Sequence, residues 1–393
     1  MSLHERGTYK ERKFYLLVVY NHYMKMLITG GHFTPAVSLI SSLQKKCKSE
    51  EFSLIFVGRK YQTESEKTLS LEYKEVTDRG IPFVNLETGR FTRALSLKTV
   101  EDFFRIPMGF LNALAIIKNE RPDIVFSFGG YIALPISFWA YCFRIPIYTH
   151  EQTIHPGLAN KIIGGMAKKI FVAFEESKKY FDQNKVKVVG NPIRESILKV
   201  IDQPFSISTD RPVLYVTGGS LGSHSINEHI FFLLRKLLQK YTIIHQIGNT
   251  KEYDDYTKAL EIKRSLSFPL KKQYYPRKHF FENEIGYIYS ISDLVVGRAG
   301  ANTFFELCVL KKPTLFIPLP WAASNEQVKH AEIFAQYGTG EVFHQSDSSD
   351  HLFEKIEKMI NNIEQYKNNF SSLQHLYKKN AADCIVKELF SHD

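Results

Sequence analysis

Cysteine is scarce and scattered in this sequence. Its 393 residues include four, Cys47, Cys142, Cys308 and Cys384, with no CxxC pair and no cysteine–histidine grouping at zinc-ligand spacing. Neither a disulfide framework nor a structural zinc site is expected, and free thiols in a reducing compartment fit best. Long hydrophobic runs are also missing. "FYLLVVY" at 14–20 is apolar but short, no Ala-x-Ala-like cleavage site follows it, and no other run reaches the roughly 18 residues that would suggest a spanning helix. Any membrane contact is expected to be peripheral. Lys and Arg (51) outnumber Asp and Glu (41), a formal charge of +10. Yet the basic residues form no long block and do not interleave with aromatics, so nucleic acid is not favoured as a partner. An excess of positive charge without that patterning suits a phosphorylated substrate or an anionic lipid surface.

What is present is an ordinary globular composition, 44% hydrophobic and 23% charged, in a chain long enough for about two domains. Short apolar runs alternate with amphipathic stretches. Strands are expected at 25–29, 53–58, 123–129, 145–150, 169–174 and 186–190, then at 212–219, 241–248, 294–300 and 313–318. Continuous apolar runs separated by helices indicate parallel sheets covered on both faces, the doubly wound α/β class. The segment 191–212 carries three prolines and precedes a fresh strand, which makes it the expected linker. Two Rossmann-like halves follow, 24–192 and 208–370, with 193–207 between them, an N-terminal extension at 1–23 and a final helix in 371–393. Ligands in such sheets bind beyond the carboxyl ends of the strands, so a cleft between two facing sheets is the expected site.

Both halves open alike, with a strand, two glycines and a helix: "LITGGHFTPAVSL" and "LYVTGGSLGSHSINEHI". Backbone N–H groups collect at such a helix start, and glycine lets an anion approach them. The second loop is neither GxGxxG nor Walker A, which weakens dinucleotide and ATP readings. "RAGANT" again sits between a strand and a helix, so its N–H groups can face a diphosphate. Glu306, one turn further on, can accept the two hydroxyls of a ribose. Taken singly, Glu306 reads equally well as a helix-dipole partner and Arg298 as a surface charge. The "DD" at 254–255 reads as surface, and no DxD-like pair at a strand end points to a metal.

Seven blocks occur in a fixed order: "TGGHFTPA", "SFGGYIALP", "HEQTIHPGLANK", "VVGNPIRESIL", "VTGGSLGSHSIN", "RAGANTFFEL" and "NEQVKHA". Together, over about residues 24–345, they resemble the MurG family within glycosyltransferase family 28. The resemblance implies a GT-B fold and no cofactor. It implies inverting transfer of N-acetylglucosamine from UDP-N-acetylglucosamine to undecaprenyl-diphosphate-N-acetylmuramoyl-pentapeptide, at the cytoplasmic face of the cell membrane. By the same resemblance, Thr29, Gly30 and Gly31 form the acceptor-side glycine loop, His32 is the general base and Tyr131 stands at the cleft. Thr153 takes the acceptor-side position. Arg194 and Ser220 contact the donor, as does the backbone near Glu282. Ala301, Asn302, Thr303, Phe304, Phe305 and Glu306 form the nucleotide loop, and Gln327 reaches the hexose hydroxyls. Three departures stand out: "ITGGH" is a shortened glycine loop, and Thr153 and His330 replace asparagines of the family pattern.

The residue types agree with this chemistry. An imidazole, with a reference pKa near 6.5, suits a base at neutral pH. The loops at 218–223 and 300–303, with Arg194, could stabilise the growing charge on departing UDP without a metal. The alternatives are another GT-B UDP-sugar enzyme, such as a glycolipid glycosyltransferase or a 2-epimerase, and a catalytically silent scaffold homologue. For the membrane, "RFTRALSLKTVEDFFRIPMGFLNAL" at 90–114 mixes basic and apolar groups, and 90–98 is the expected lipid-facing part.

Overall fold

The computed structural model describes residues 24–47, 52–61, 69–89, 97–207, 210–219, 221–248, 253–321 and 325–391, excepting the side chains of 71 and 97–104. The extension at 1–23, Ser220 and residues 90–96 lie outside this set.

The first half runs β1 (Met24–Thr29), α1 (Phe33–Lys46), β2 (Phe52–Gly58), α2 (Leu71–Asp78), β3 (Phe83–Asn85), α3 (Leu97–Glu120), β4 (Ile124–Ser127), α4 (Gly130–Cys142), β5 (Ile147–Glu151), α5 (Leu158–Met166), β6 (Lys169–Val172) and β7 (Val186–Val188). Its sheet has the order β3-β2-β1-β4-β5-β6-β7, and β1 pairs in parallel with both β2 and β4. The second half runs β8 (Val213–Thr217), α6 (His224–Leu238), β9 (Thr242–Gln246), α7 (Asp255–Ser265), α8 (Phe268–Lys271), β10 (Tyr274–Arg277), α9 (Glu282–Ile291), β11 (Leu294–Gly297), α10 (Ala301–Leu310), β12 (Thr314–Phe316), α11 (Glu326–Gln336), β13 (Gly340–Val342), α12 (Ser349–Asn361), α13 (Ile363–Asn368) and α14 (Ala381–Phe390). Its six strands, ordered β10-β9-β8-β11-β12-β13, are all parallel. Each sheet is the doubly wound parallel arrangement expected from the apolar runs.

The strand order reverses between β1 and β4 in one sheet and between β8 and β11 in the other. At such a switch point the connections leave on opposite faces and a crevice opens at the carboxyl ends. The glycine turns sit there because β1 and β8 feed them directly.

The central strands are buried along their length, as in "MLIT" of β1 and all of β8. The helices supply the covering faces. In α6, Ile226, Ile230, Leu233, Leu234, Leu237 and Leu238 recur at helical spacing and pack with Leu214, Val216 and Ile243. The tail ends in α14, which buries Ala381, Ile385, Val386 and Leu389.

The chain divides into two compact units, one running to Ile170 and the other from Phe171 onward, with Val37–Leu39 and Glu151–Pro156 grouped with the second. This division falls earlier in the chain than the proline-rich segment read as the linker. The cause is packing: Ala173, Phe174, Ile193 and Ile197 belong to the core of the second unit. No described helix is long and apolar enough to cross a membrane.

Candidate active site

In the first unit, three strand ends meet around two glycine turns. Gly31, with φ of 150°, follows β1, and a Cβ there would lie 2.2 Å from the Gly129 carbonyl oxygen. Gly129 and Gly130, with φ of 78° and 81°, follow β4. Only glycine adopts these angles readily, and only glycine lets the two turns touch. The end of β5 ties in through side chains. Thr149 Oγ1 lies 3.2 Å from both the Ser127 carbonyl and Asn160 Oδ1, and Asn160 Nδ2 donates to the His150 carbonyl at 3.3 Å. Thr29 is fully buried, and its Oγ1 has no hydrogen-bond partner among the described residues. His32 is the N-cap of α1, half-buried, and α1 has no acidic residue in its first turn. An anion at this turn would therefore meet N–H groups and no opposing carboxylate from α1. Tyr131 lies in the first turn of α4, with the Arg59 guanidinium 5.7 Å above its ring.

In the second unit the turn after β8 is braced from β9. Gln246 Nε2 donates to the Gly219 carbonyl at 2.9 Å and to Thr217 Oγ1 at 3.2 Å, while its Oε1 accepts from the Phe280 N–H at 3.1 Å. Gly222, with φ of 85°, approaches Gly248, and Ser223 stands at the N-cap position of α6 without a side-chain cap bond. Arg298 reaches the same place from the end of β11 and is not a surface charge. Its guanidinium donates to Ser223 Oγ (2.7 Å), Ser225 Oγ (2.9 Å), Gln345 Oε1 (3.0 Å) and the Ile317 carbonyl (2.8 Å). Burial lowers its pKa to about 10, so it stays charged at neutral pH. Among the described residues it has no carboxylate partner. A cation without a counter-ion beside a helix N-terminus favours an anion there.

Arg194 and Glu306, predicted as separate donor contacts, are brought together. Arg194 Nε lies 2.9 Å from Oε1 and its Nη2 3.0 Å from Oε2, and Tyr289 adds a hydroxyl to Oε2 at 3.3 Å. Burial opposes the Arg194 charge, but Glu306 beside it, with smaller help from Tyr289, leaves its pKa raised. Much of the Glu306 acceptor capacity is thus already used by the protein. Next to this pair, Asn191 Nδ2 donates to Asn302 Oδ1 at 3.3 Å, while Asn191 Oδ1 is buried with no partner among the described residues. Ala301 begins α10. Phe304 and Phe305 depart from the expected role, because both side chains are buried in the core, which leaves them only main-chain atoms to offer a ligand. Thr303 is half-buried in the first turn, and Glu282 opens α9.

Thr153 is turned inward. Its N–H donates to Glu151 Oε1 at 2.8 Å, and its Oγ1 lies 2.7 Å from the same oxygen and 2.9 Å from the His155 carbonyl. The threonine in the "HEQ" block therefore holds Glu151 instead of presenting a free hydroxyl. Glu326 of the "NEQ" block is close enough to feel that charge: burial first, then Glu151, raises its pKa to about 7. A cavity lined by Ile154, His155, Glu326 and Lys329 lies where the two blocks meet. Gln327 Oε1 accepts from the Leu319 N–H at 3.0 Å.

His330 is fully buried and stacks on Phe304, with centroids 4.8 Å apart. Its Nδ1–H donates to the Ala299 carbonyl at 2.9 Å, and burial, partly offset by that bond, lowers its pKa to about 4. It is a neutral core side chain that supports the turn leading into α10. Asp255, read as surface, is also buried, paired with His224 Nδ1 at 2.9 Å and with Asn227 Nδ2 at 2.7 Å. Among the described residues no group of three His, Cys, Asp or Glu side chains converges on a metal site.

Two parallel α/β units, each with a glycine turn at its switch point, form the pair of doubly wound halves that the GT-B class is built from. Models of the glycosyltransferase family 28 N-terminal and C-terminal domains match residues 29–172 and 213–386. The chain is 32% identical over 376 residues, 93% of its length and 99% of the relative, to UDP-N-acetylglucosamine–N-acetylmuramyl-(pentapeptide) pyrophosphoryl-undecaprenol N-acetylglucosamine transferase 2 of Bacillus cereus. It is 33% identical over 354 residues, 88% of its length and 92% of the relative, to the transferase of the same name from Clostridium perfringens. The chain belongs to glycosyltransferase family 28, and within it to the MurG group. Among solved structures it resembles Acinetobacter baumannii MurG, with a TM-score of 0.65 and 20% identity over 93% of this chain and 99% of that one. It also resembles a UDP-GlcNAc 2-epimerase from Neisseria meningitidis, with a TM-score of 0.65 and 15% identity over 94% of this chain and 100% of that one. At these identities both describe the fold alone.

Proposed function

We propose that this chain transfers N-acetylglucosamine from UDP-N-acetylglucosamine to a hydroxyl of undecaprenyl-diphosphate-linked N-acetylmuramoyl-pentapeptide. The observation that carries this is identity of 32–33% to transferases of that name over 88–93% of the chain. The acceptor hydroxyl oxygen attacks the anomeric carbon of the donor sugar. Its proton passes to the His32 imidazole, and the anomeric C–O bond to UDP breaks, with the electron pair leaving on the diphosphate. Attack from the face opposite the leaving group inverts the anomeric centre. In the second unit, the turn at Gly218–Gly219, the start of α6 and Arg298 supply N–H groups and charge for the departing diphosphate. The Arg194–Glu306 pair, rather than Glu306 alone, takes the ribose. Gln327 takes the hexose hydroxyls, and Thr153 acts through Glu151. The test is UDP release. It should require the lipid-linked acceptor. Conversion of UDP-N-acetylglucosamine to its 2-epimer without acceptor would instead identify an epimerase.

The same reading calls for a surface that meets lipid. The expected lipid-facing segment, 90–98, lies outside the described residues, except for the backbone at its end. Among the described residues, α3 leaves Met108 (57%) and Leu111 (58%) exposed, and the end of α4 leaves Tyr141 (59%) and, just past it, Phe143 (47%), with Arg105 and Arg144 close to them in sequence. Between α3 and α4, Phe110 packs edge-on against Phe138 at 5.4 Å. Apolar side chains with basic neighbours suit the boundary of an anionic bilayer. Replacing Met108, Leu111 and Tyr141 by Glu is expected to abolish co-sedimentation with anionic vesicles. Turnover of a short-chain soluble acceptor should stay within a few-fold of wild type. Unchanged vesicle binding would place the membrane surface elsewhere.

A further inference from the structure

The turn after β1 has an acidic neighbour that this chemistry does not use. Ser70 caps α2: its Oγ accepts from the Tyr73 N–H at 3.0 Å, and its hydroxyl donates to the Arg59 carbonyl at 2.6 Å. The first turn of α2 is thereby held against the end of β2, and Glu72 stands in that turn. Its carboxyl points at the strand ends. A Cβ at Gly30 would lie 2.0 Å from Oε1, and one at Gly58 would lie 2.8 Å from Oε2. Neither glycine is in a left-handed conformation, so both make room for the carboxyl group rather than for a bend.

Little around Glu72 compensates a negative charge. The Arg59 N–H is 3.4 Å from Oε2, a long contact, and among the described residues no cation pairs with the carboxylate. Among the described residues, the charged groups at the end of β2 are Arg59, whose guanidinium lies over the Tyr131 ring of α4, and Lys60, over the Tyr73 ring of α2 at 5.1 Å, while α2 itself carries Lys74, Asp78 and Glu75, the last paired with Arg79 at 3.8 Å. His32 lies on the β1–α1 turn itself. Burial dominates and pushes the Glu72 pKa up to about 7, against smaller lowering by the Arg59 N–H and charge.

We infer that Glu72 is a positioning residue that carries a proton when the anionic acceptor seats on the Gly30–Gly31 turn, an inference that rests on the acceptor role proposed for that turn. Protonated, the carboxyl fills the space behind the turn without charge. Ionised, it places a negative charge beside Gly30, whose N–H already donates to the Val57 carbonyl at 2.7 Å, and so behind the following N–H groups of the turn that are to receive a diphosphate. Because the complex binds the proton more tightly than the free protein, acceptor affinity is fully present below the Glu72 pKa and falls as pH rises through it.

The experiment measures the acceptor KM, the donor KM and kcat separately, with a soluble short-chain acceptor, from about pH 6 to about pH 8.5. In the wild type the acceptor KM should rise across neutrality, toward about tenfold per pH unit at its steepest, while the donor KM does not follow. Glu72→Gln, neutral throughout, should hold the low-pH acceptor KM across the range. Equal slopes in both proteins, or a flat wild-type profile, would overturn the inference. A second measurement needs neither Glu72→Gln nor activity. In 13C-carboxyl NMR of glutamate-labelled protein, two carboxyls, Glu72 and Glu326, should titrate near neutrality, with Glu326→Gln identifying the second. Excess inorganic pyrophosphate should move the Glu72 midpoint upward. A Glu72 carboxyl titrating near the ordinary glutamate value, or unmoved by pyrophosphate, also overturns it. Absence of any sugar transfer would overturn the reaction itself, with the NMR titration still deciding Glu72.

Discussion

His32→Ala is expected to lower kcat by about 10²–10⁴-fold, the range for loss of a general base. UDP affinity should stay within about twofold, well under the 1.4 kcal/mol that a tenfold change represents. The separation follows from the two compact units. His32 belongs to the first, whereas Gly218, Gly219, Arg194, Arg298 and Glu306 all belong to the second. The imidazole sits at the N-cap of α1 without capping it, so its loss removes no helix-end hydrogen bond. Thermal unfolding measured alongside separates loss of the base from loss of fold. Isothermal titration with UDP and steady-state turnover together check this. If kcat falls only a few-fold, His32 is a turn residue and the base is another group.

Arg194→Ala is expected to have the other large effect, on binding and stability together. The change leaves Glu306, nearly inaccessible to solvent, without its cation. Breaking a buried pair in this way typically costs about 3–5 kcal/mol. The melting temperature of the second unit should drop markedly, and UDP affinity should fall with it. Arg194→Ala combined with Glu306→Gln removes the stranded charge, so it should recover much of the stability but not the UDP affinity. The ribose role has a separate readout. Glu306→Gln should weaken UDP more than it weakens 2′-deoxy-UDP, measured by titration of both nucleotides. Equal losses for the two would show that the pair braces α10 without touching the ribose.

The strands that the sequence makes plain are those with continuous apolar runs, because they are covered on both faces. The three that it hides, Phe83–Asn85, Tyr274–Arg277 and Gly340–Val342, are all edge strands. They are short, "FVN" and "GEV" are incompletely buried, and "YYPR" carries a proline that an edge tolerates. The glycine turns were legible because their residue types are nearly forced by φ and by contact, as Gly31 against Gly129 shows. The partners of long side chains were not. Nothing in "GRAG" says that Arg298 turns inward to Ser223 and Ser225. Nor does local pattern place Gln246 behind the Gly219 carbonyl, or Glu72 behind Gly30. These are meetings of neighbouring strand ends distant in sequence, and only the strand order creates them. His330 is the reverse case. In the sequence it stood only as a departure from the family's asparagine, and stacking on Phe304 and a bond to the Ala299 carbonyl make it part of the core.

The most direct test of the account is the fate of the sugar. The chain is incubated with UDP-N-acetylglucosamine and a short-chain polyprenyl-diphosphate muramoyl-pentapeptide, and the acceptor is followed by mass spectrometry and by the NMR coupling of its new anomeric proton. The account predicts an acceptor heavier by a single N-acetylhexosamine residue, in β linkage, with UDP released in equal amount. An unchanged acceptor, with UDP-N-acetylmannosamine or free N-acetylglucosamine accumulating instead, would contradict it.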